Sequence, residues 1–599
     1  MGNDAKNQRK TVILEGLFII LCAICLVLPQ WHRQGLILGM DVSFQYNRFY
    51  EAYMQLRTGH WNFFQSLFSF DQSGRIVNAV YGNGLAYLGG LIMWKLHDWL
   101  QFQMLMAFLC ELTAGFTMLA FLRRLRLRSW IAVSGAVLYM SSFVVNTWIL
   151  NQSVTGWGAA LLPLVFIAGV AVLDNHRKSF NPILLGSAMA LLVMTHLVSA
   201  LLGAIALVPF FIVGFMQSRQ RSQLIQKGLV AVVTAIILAG SSLLGLFEVQ
   251  SSNHLYTPWH NKHMMDATAN LSTGDNGMIT IGLIFSVLFV FQIVLVLSSW
   301  RRRTTQERVL TATGAVFLIL SSKLFPWVSV AKQSDFMAGL QFPWRFSVIA
   351  FILLLAGFGL TLQRWITAVA QREEIMRALY ATGAIILAMT AMTLIDTRTS
   401  YWHGDNPTGA GDNAQIIHTR DPKKIRAIFA DKNLLVGIQN LQRPNPDYLP
   451  LPANKHQNKM HGYTLYDREI IHNTLPVKKQ ITADNALEYT WHQKNAATVT
   501  VPAIIYAHSA VRVNGVATAP AKIKKTGIGA ARIQAKQGQN TLVVGYQQPR
   551  LLPIILIIQI IAWVGVCMAG IKALVRWGIR RPSKHENTRG DDPQDVRIK

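Results

Sequence analysis

The sequence has 599 residues, of which 52% are hydrophobic and only 14% are charged. Soluble domains carry about 25% charged residues, so this composition excludes an ordinary soluble protein. Apolar runs of roughly 20 residues recur along the chain, and about that many residues cross the hydrocarbon core of a bilayer as a helix. The sequence therefore predicts a polytopic α-helical membrane protein. The formal charge of +27 then serves first as a topology signal.

The first apolar run, residues 11–29, follows Lys6, Arg9 and Lys10 and lacks a small-residue cleavage site. This pattern predicts an uncleaved signal anchor with the N-terminus in the cytoplasm. Twelve crossings in all place both termini in the cytoplasm. The eleven further predicted spans are 101–122, 129–149, 156–173, 181–197, 200–216, 228–247, 277–299, 308–322, 344–363, 378–395 and 551–571.

Basic clusters follow every second predicted span, where the count assigns the loop to the cytoplasm. Positively charged residues favour that side, so the clusters agree with the proposed topology. They lie at 123–128, 176–178, 219–227, 301–303, 372–377 and 576–581.

The same topology divides the chain into three parts. Residues 1–395 form a transmembrane module whose first outer loop is 30–100, and residues 551–599 form the last span and a basic cytoplasmic tail. Between them, 396–550 lies outside the cytoplasm. The apolar stretch 83–99 contains several glycines and an adjacent His-Asp pair, so it is predicted to be a re-entrant or interfacial piece of the first loop.

The external segment 396–550 changes composition sharply. Its last third has alternating β-branched runs separated by turn residues such as Asn514-Gly515, which favour antiparallel strands and a sandwich-like domain. The segment holds 20 Lys and Arg against 10 Asp and Glu. This excess predicts an anionic partner, either an envelope polymer or lipid headgroups, with a merely soluble basic surface as the alternative. No nucleic-acid motif occurs, so nucleic acid is not a predicted partner.

Phosphate-loop, dinucleotide, zinc-protease and serine-hydrolase signatures are absent from the sequence. The remaining candidate chemistry lies on the predicted outer face. Asp41 opens a predicted amphipathic helix, 42–56, and can act in catalysis or simply cap that helix. Arg345, in "FPWRF" at the outer end of span ten, can bind phosphate or extend to lipid headgroups.

A mechanism follows from the absence of nucleotides outside the cell, because an enzyme there needs a lipid-linked donor such as a polyprenyl-phosphate sugar. Asp41 is predicted to remove the proton from the attacking hydroxyl, in a direct inverting displacement. Arg345 would neutralise the departing phosphate, helped by Arg48 or Lys332. The predicted substrate-binding residues are Gln45, Tyr46, His60, Trp61 and His196.

Two of these interpretations have open alternatives. His196 at a span end can be merely interfacial. His254, His260 and His263 can bind a metal, but their loose spacing favours a solvated loop. The sequence identifies no certain cofactor, and it leaves a divalent metal ion open.

The motif D-x-x-x-Q-Y, at Asp41, Gln45 and Tyr46, is followed by "FFQSLFSFDQSGRIVNAVYGNGLAYLGGL". These segments, "FPWRF" and the overall layout resemble bacterial YfhO-like membrane proteins. The chain also resembles the membrane proteins labelled "6-pyruvoyl-tetrahydropterin synthase-related domain", without any sign of pterin chemistry. Both groups are similar to GT-C glycosyltransferases, whose catalytic acid lies in the first outer loop. The resemblance implies that Asp41 is that acid, and that a surface polymer such as teichoic acid is the acceptor.

Two other functions compete with sugar transfer. Twelve spans are common in transporters, so a flippase for lipid-linked sugars is one alternative, although the two halves show no internal repeat and few charges lie within the spans. A non-catalytic scaffold of the envelope or of cell division is the other. In that case the domain at 396–550 would do the binding.

Overall fold

The computed structural model describes residues 2–174, 180–270, 279–368, 373–409, 416–457 and 460–579. The basic cluster predicted at 176–178, parts of those predicted at 372–377 and 576–581, and the tail beyond residue 579 lie outside these residues. The described helices are α1 (Gly2–Arg33), α2 (Val42–Thr58), α3 (Asn83–Leu96), α4 (Trp99–Arg124), α5 (Ser129–Met140), α6 (Phe143–Asn151), α7 (Thr155–Leu161), α8 (Pro163–Leu173), α9 (Pro182–Thr195), α10 (Leu197–Gln217), α11 (Arg221–Leu238), α12 (Gly240–Ser252), α13 (Leu283–Ser298), α14 (Thr305–Leu320), α15 (Trp327–Gln333), α16 (Asp335–Gly339), α17 (Ser347–Ala368), α18 (Glu373–Ser400), α19 (Pro422–Ala430), α20 (Leu435–Asn440), α21 (Gly462–Tyr466) and α22 (Leu552–Ile579).

Nine helical segments among the described residues are long and apolar enough to cross a membrane. Two further apolar helices, α9 and α13, are shorter, and the predicted crossing at 308–322 is the 16-residue helix α14. The prediction of a polytopic helical membrane protein is therefore confirmed, whereas the count of twelve crossings stays a prediction. The nine segments are Arg9–Arg33, Trp99–Arg124, Ser129–Asn151, Thr155–Leu173, Leu197–Gln217, Arg221–Leu238, Pro343–Ala368, Glu373–His403 and Leu552–Ala573.

Burial divides these helices into a centre and a periphery. The apolar window of Ser129–Asn151 is 94% buried and that of Pro343–Ala368 is 89% buried, whereas only 6% of the Leu552–Ala573 window is buried. An apolar helix with that much uncovered surface is stable only in an apolar solvent such as lipid. The centre of the bundle is therefore α5, α6 and α17, with α22 at its edge.

Two predicted continuous spans are divided in the structure. The segment 129–149 becomes α5 and α6, which are separated at Ser141 and Ser142, and 156–173 becomes α7 and α8. Pro163 begins α8, and a proline cannot donate the backbone hydrogen bond that a continuous helix needs. The buried position of these segments allows the irregular backbone to bond within the protein rather than face lipid.

The first predicted outer loop is dominated by α2, whose 17 residues include 13 that are buried. Its polar residues Gln45, Asn47, Arg48, Glu51 and Gln55 are all buried. The helix predicted over 42–56 is therefore present as α2, but its polar side chains are buried in the protein rather than exposed to solvent. The polar groups instead form hydrogen bonds inside the protein, since buried polar groups are costly when unpaired.

Helix α3, within the stretch predicted to be re-entrant or interfacial, packs closely on α2. A Cβ on Gly89 would lie 2.4 Å from the ring of Phe49, and one on Gly90 would lie 2.6 Å from the Cβ of Ala52. Contacts below about 3 Å are not tolerated by packed cores. The two glycines therefore allow α2 and α3 to approach, which explains their position in the sequence.

The strands of the described residues lie almost entirely between residues 478 and 546. The five-stranded antiparallel sheet has the order β3-β4-β10-β6-β7, and the three-stranded sheet has the order β5-β9-β8. A separate short pair joins β1 to β2. The strands are β1 (Ile416–Ile417), β2 (Leu441–Gln442), β3 (Lys478–Ile481), β4 (Leu487–Gln493), β5 (Ala497–Ile504), β6 (Ser509–Val513), β7 (Val516–Thr518), β8 (Lys524–Lys525), β9 (Ala530–Ala535) and β10 (Gly538–Tyr546).

Side chains from both sheets share one apolar core, which includes Tyr489, Val501, Ile533 and Leu542. Because successive residues of a strand point to opposite faces, the alternation in the sequence supplies this core, and the predicted β-rich region is confirmed. The sandwich occupies only the later part of 396–550. The earlier part contains the short helices α19, α20 and α21 and covers the end of the helical bundle.

The first loop is organised around the buried carboxylate of Glu51. This side chain is 1% exposed and accepts hydrogen bonds from the backbone N–H groups of Leu67 (2.8 Å), Phe68 (2.9 Å) and Ser69 (2.9 Å). The Ser69 hydroxyl (2.8 Å) and the Gln55 amide (3.1 Å) also donate to it. One anion therefore fixes residues 67–69 against α2.

We expect Glu51→Gln to lower the free energy of unfolding by about 3 kcal/mol, because an amide cannot accept all of these hydrogen bonds and hydrogen bonds to charged groups are the stronger ones. The midpoint of thermal unfolding in detergent measures the change. Glu374→Gln, at an exposed glutamate of α18, is the matched control and should change little. Equal midpoints for the two variants would contradict the role of Glu51.

Candidate functional site

A pocket of about 530 Å³ lies where the helical bundle meets the segment that precedes the sandwich. We call it the interdomain pocket. It brings together four residues that the sequence predicts to be functional: Asp41, Gln45, His196 and Arg345. The other polar and aromatic residues that line it include Tyr81, Gln250, Trp259, Gln341, Arg443, Asn445, Asp447, Tyr448 and Tyr463.

The backbone of Asp41 is fixed by the turn that ends α6. The N–H of Asp41 donates to the carbonyl of Asn151 (3.0 Å), and the N–H of Gly39 donates to Oε1 of Gln152 (2.8 Å). A Cβ on Gly39 would lie 2.4 Å from the Cα of Asn151, so only glycine permits this approach. The bundle centre therefore sets the position of Asp41.

The side chain of Asp41 does not cap α2, although Asp41 directly precedes that helix. Its Oδ1 instead accepts from a terminal nitrogen of Arg443 at 3.0 Å, and the same nitrogen donates to the carbonyl of Met40 at 2.7 Å. The cap interpretation is therefore wrong for the side chain. Arg443 holds the carboxylate at the pocket wall, and its sequence position, 402 residues away, gave no sign of this pairing.

Arg345 enters the pocket from the short 3₁₀ helix Pro343–Phe346. One terminal nitrogen donates weakly to the carbonyl of Leu340 (3.2 Å) and to Oε1 of Gln341 (3.3 Å), and the guanidinium lies 4.8 Å from the centre of the Phe342 ring. Within the described part of the chain, no carboxylate pairs with Arg345, and its Nε has no hydrogen-bond partner. This cation therefore retains donors for an anionic group.

His196 forms the one-residue break between α9 and α10. Its Nδ1 lies 2.8 Å from the Oγ of Ser199, and the residue is 5% exposed. The break lets the imidazole reach the pocket at the end of the two helices. The structure thus places His196 beside Arg345 and Gln45 in one wall.

Arg48 lies behind the pocket rather than in its lining, and it is fully buried. Its Nε donates to Asn78 (3.1 Å), one terminal nitrogen donates to Oε1 of Gln45 (2.7 Å), and the other donates to the carbonyls of Tyr81 and Gly82. All of its nitrogens are therefore engaged with the protein. In this geometry Arg48 orients Gln45 and the Tyr81 turn.

Asp447 is the residue of the pocket that the sequence gave least reason to expect. Its main-chain carbonyl accepts from Arg75 at 2.8 Å, and a second Arg75 nitrogen donates to the carbonyl of Asn445 at 2.8 Å. Arg75 is 1% exposed. Among the described residues, Oδ1 of Asp447 has no hydrogen-bond partner. The fork of Arg75 therefore holds Asp447 and its neighbours against the first loop.

Burial controls the protonation of these groups. It raises the pKa of Asp447 to about 6, against the opposing charges of Arg75 and Arg443, and the Asp41 carboxylate raises that pKa further. Burial also raises the pKa of Tyr463 to about 12 and lowers the pKa of Arg48 to about 10. At neutral pH Tyr463 in the pocket is therefore neutral, and Arg48 behind the pocket is charged.

Besides Arg48, four predicted site residues do not line the interdomain pocket. Tyr46 stacks on Trp99 with ring centres 4.2 Å apart, and its hydroxyl oxygen accepts a hydrogen bond from the Gln103 amide (2.8 Å) in the core of the bundle. His60 contacts Asn485 at 2.7 Å, and Trp61 lines a separate groove on the sandwich. Lys332 is exposed on α15. The roles assigned to these residues stay predictions without support from pocket geometry.

A divalent metal, which the sequence allows, does not fit the described residues well. No three His, Cys, Asp or Glu side chains among them gather at metal-binding distance. The two acids of the pocket, Asp41 and Asp447, lie beside the cation Arg443, and divalent cations prefer several oxygen ligands. The mechanism below uses no metal.

Comparisons with known proteins give only a remote similarity. No family model matches the sequence, and no curated protein matches it. Two solved structures of an oligosaccharyltransferase from Archaeoglobus fulgidus are similar at 13% identity. One, tethered to an acceptor peptide with an NVT sequon, has a TM-score of 0.39 over 65% of this chain and 55% of its own. The other, AglB with an inhibitory peptide and a dolichol-phosphate, has a TM-score of 0.36 over 74% and 61%.

The match thus spans well under two thirds of either oligosaccharyltransferase chain. Similarity at this level does not by itself establish a common fold or activity. The relation to YfhO-like and GT-C proteins stays a prediction.

The pH dependence of stability tests the burial of Asp447. Its raised pKa means that, between about pH 4 and pH 6, the folded protein retains a proton that the unfolded chain has released. The contribution of this group to stability therefore declines as pH rises through that window and is constant above it. We expect Asp447→Asn to remove a decline of about 2 kcal/mol.

The measurement compares thermal unfolding midpoints at pH 4.5 and pH 7 for the wild type and the variant. Asp335→Asn, at an aspartate whose side chain is 87% exposed, should retain the decline. An Asp447→Asn protein with the pH dependence of the wild type would show that this carboxyl titrates normally.

Proposed function

We propose that this chain is a GT-C-like membrane glycosyltransferase, which moves a sugar from a polyprenyl-phosphate donor to a cell-envelope acceptor such as teichoic acid or another surface glycopolymer. The observation that carries the proposal is one pocket with a carboxylate, a cation without a carboxylate partner and an apolar wall. Leu197, Val198, Leu246, Pro258 and Phe342 supply that wall.

The apolar wall and Arg345 fit the two halves of the donor. Leu197 begins α10, and 41% of its surface is exposed, so the wall continues onto a helix long enough to cross the membrane. An isoprenoid chain can lie along such a surface while its phosphate reaches Arg345. The planar fork of a guanidinium suits phosphate oxygens.

The reaction is a displacement at the anomeric carbon. Asp41 accepts the proton of the acceptor hydroxyl as its oxygen forms the new bond to that carbon. The bond between the carbon and the phosphate oxygen breaks, and its electron pair stays on the phosphate. Arg345 stabilises this developing charge in a partly desolvated site, while Arg443 keeps the Asp41 carboxylate oriented.

His196 and Gln45 are positioned to bind the sugar. Both line the same wall, and the Gln45 carbonyl is already fixed by Arg48, which leaves its amide group to donate. Fixed hydrogen-bond partners cost little reorganisation when substrate binds. The acceptor enters from the side of Arg443 and Asp447, where the segment before the sandwich closes the pocket.

The Asp41→Asn variant tests whether Asp41 is the general base. In a deletion strain we expect loss of a sugar from an envelope polymer and accumulation of the polyprenyl-linked sugar, both measured by mass spectrometry. Asp41→Asn should fail to restore the modification at wild-type expression, since loss of a general base costs about 10²–10⁴-fold in rate. Asp335→Asn is the matched control and should restore it.

Full restoration of the sugar modification by Asp41→Asn would show that Asp41 is not the general base. Two further outcomes favour the competing functions. Transport of a lipid-linked sugar across vesicles without any glycosylated product indicates a flippase. A deletion strain whose envelope sugars are unchanged, and whose other defects are restored only by chains that retain 396–550, indicates a scaffold.

The Arg345 variant tests the phosphate site. Arg345→Ala should reduce transfer about 10²-fold, because one stabilising donor for a developing oxyanion is worth that much. Arg345→Lys should recover only part of the loss, since lysine lacks the fork. Lys323→Ala, at an exposed lysine between α14 and α15, is the control. Unchanged donor turnover in Arg345→Ala would place the phosphate elsewhere.

A further inference from the structure

A second cavity lies apart from the interdomain pocket, on the outer face of the five-stranded sheet. Its volume is about 580 Å³, and its wall on the bundle side is Trp61. We call it the sheet groove. None of the residues that line it lines the interdomain pocket, so sugar transfer as described above does not account for it.

The floor of the sheet groove consists of small residues on β6, β7 and β10. Ala510, Ala517 and Gly545 line it. A Cβ built on Gly545 would lie 3.3 Å from the Cβ of Ala486 and 3.9 Å from that of Ala510. Residues of this size leave room above the sheet where larger side chains would fill it. The strand register pairs Ala510 with Gly545, and Ala517 lies opposite Arg512 on the next row.

Trp61 is fixed in the wall by its neighbours. His60 Nδ1 lies 2.7 Å from Oδ1 of Asn485, and the amide of Asn62 donates to the Asn485 carbonyl at 3.1 Å. The indole stacks on Tyr87 with ring centres 5.8 Å apart, yet 48% of Trp61 remains exposed. This tryptophan is thus held to the sandwich through both of its sequence neighbours, and it lines the groove.

The polar lining is balanced in charge. Asp484 and Arg512 form an ion pair at 3.3 Å, and the other polar side chains include the planar amides of Asn485, Gln547 and Gln548. The segment 396–550 as a whole is strongly basic, so the groove differs from its surroundings. The amides both donate and accept hydrogen bonds, the carboxylate accepts them and the guanidinium donates them, which together suits a hydroxyl-rich ligand.

We propose that the sheet groove binds a neutral oligosaccharide. An exposed indole offers an apolar face to the C–H face of a sugar ring, the small-residue floor gives the ring space, and the balanced polar groups bond its hydroxyls. Binding here needs no donor and no catalytic acid. It can therefore be tested separately from the transfer reaction.

The test uses the purified full-length protein in detergent on an array of immobilised neutral oligosaccharides, with poly(glycerol phosphate) as an anionic probe. Titration calorimetry then gives the affinity for the best-bound glycan. We expect Trp61→Ala to weaken that affinity about tenfold, with partial recovery in Trp61→Phe. Ala517→Trp should weaken it similarly, because the new side chain fills the groove.

Matched controls separate the groove from other surfaces. Val516→Trp adds the same side chain one residue away, outside the lining, and should leave the affinity unchanged. Asp41→Asn should bind like the wild type, so failure of sugar transfer leaves this result intact. Retention of only the anionic polymer, retention of no neutral glycan, or equal affinities in wild type, Trp61→Ala and Ala517→Trp would each overturn the proposal.

Discussion

The interdomain pocket depends on one buried arginine. Arg75 donates from two nitrogens to the carbonyls of Asn445 and Asp447, each at 2.8 Å, and its guanidinium lies 4.9 Å from the Phe70 ring centre and 5.2 Å from that of Tyr466. Because burying a guanidinium is costly unless its donors find partners, these two hydrogen bonds from the terminal nitrogens tie the segment before the sandwich to the first loop. Without that attachment Arg443 would not meet Asp41.

The first loop itself is held by an opposite charge. The Glu51 carboxylate gathers three consecutive backbone N–H groups at residues 67–69, and the loop continues to Arg75. An anion and a cation, both buried and both hydrogen-bonded, thus connect α2 to the residues near the sandwich. Buried polar networks of this kind specify one arrangement because any half-bonded alternative is costly.

The sequence identified the pocket residues that the helical bundle and its loops supply, but not those from the segment that precedes the sandwich. Asp41, Gln45, His196 and Arg345 follow or precede apolar runs on what the charge pattern assigns to one membrane side, and all four line the pocket. Arg443 and Asp447 lie in a polar segment with no recognisable pattern. Tyr46, one residue from Gln45, points into the core against Trp99, since neighbouring residues of a helix diverge by about 100°.

The sequence by itself determined the membrane class of the protein, the approximate positions of its long helices and the presence of strands in the last third of 396–550. Each of these follows from local hydrophobic periodicity, which every short window carries. Only the tertiary structure decided that α2 is buried, that Asp41 pairs with Arg443 instead of capping a helix, and that Trp61 faces a groove of the sandwich. Those outcomes depend on contacts between residues hundreds of positions apart, and no local pattern encodes them.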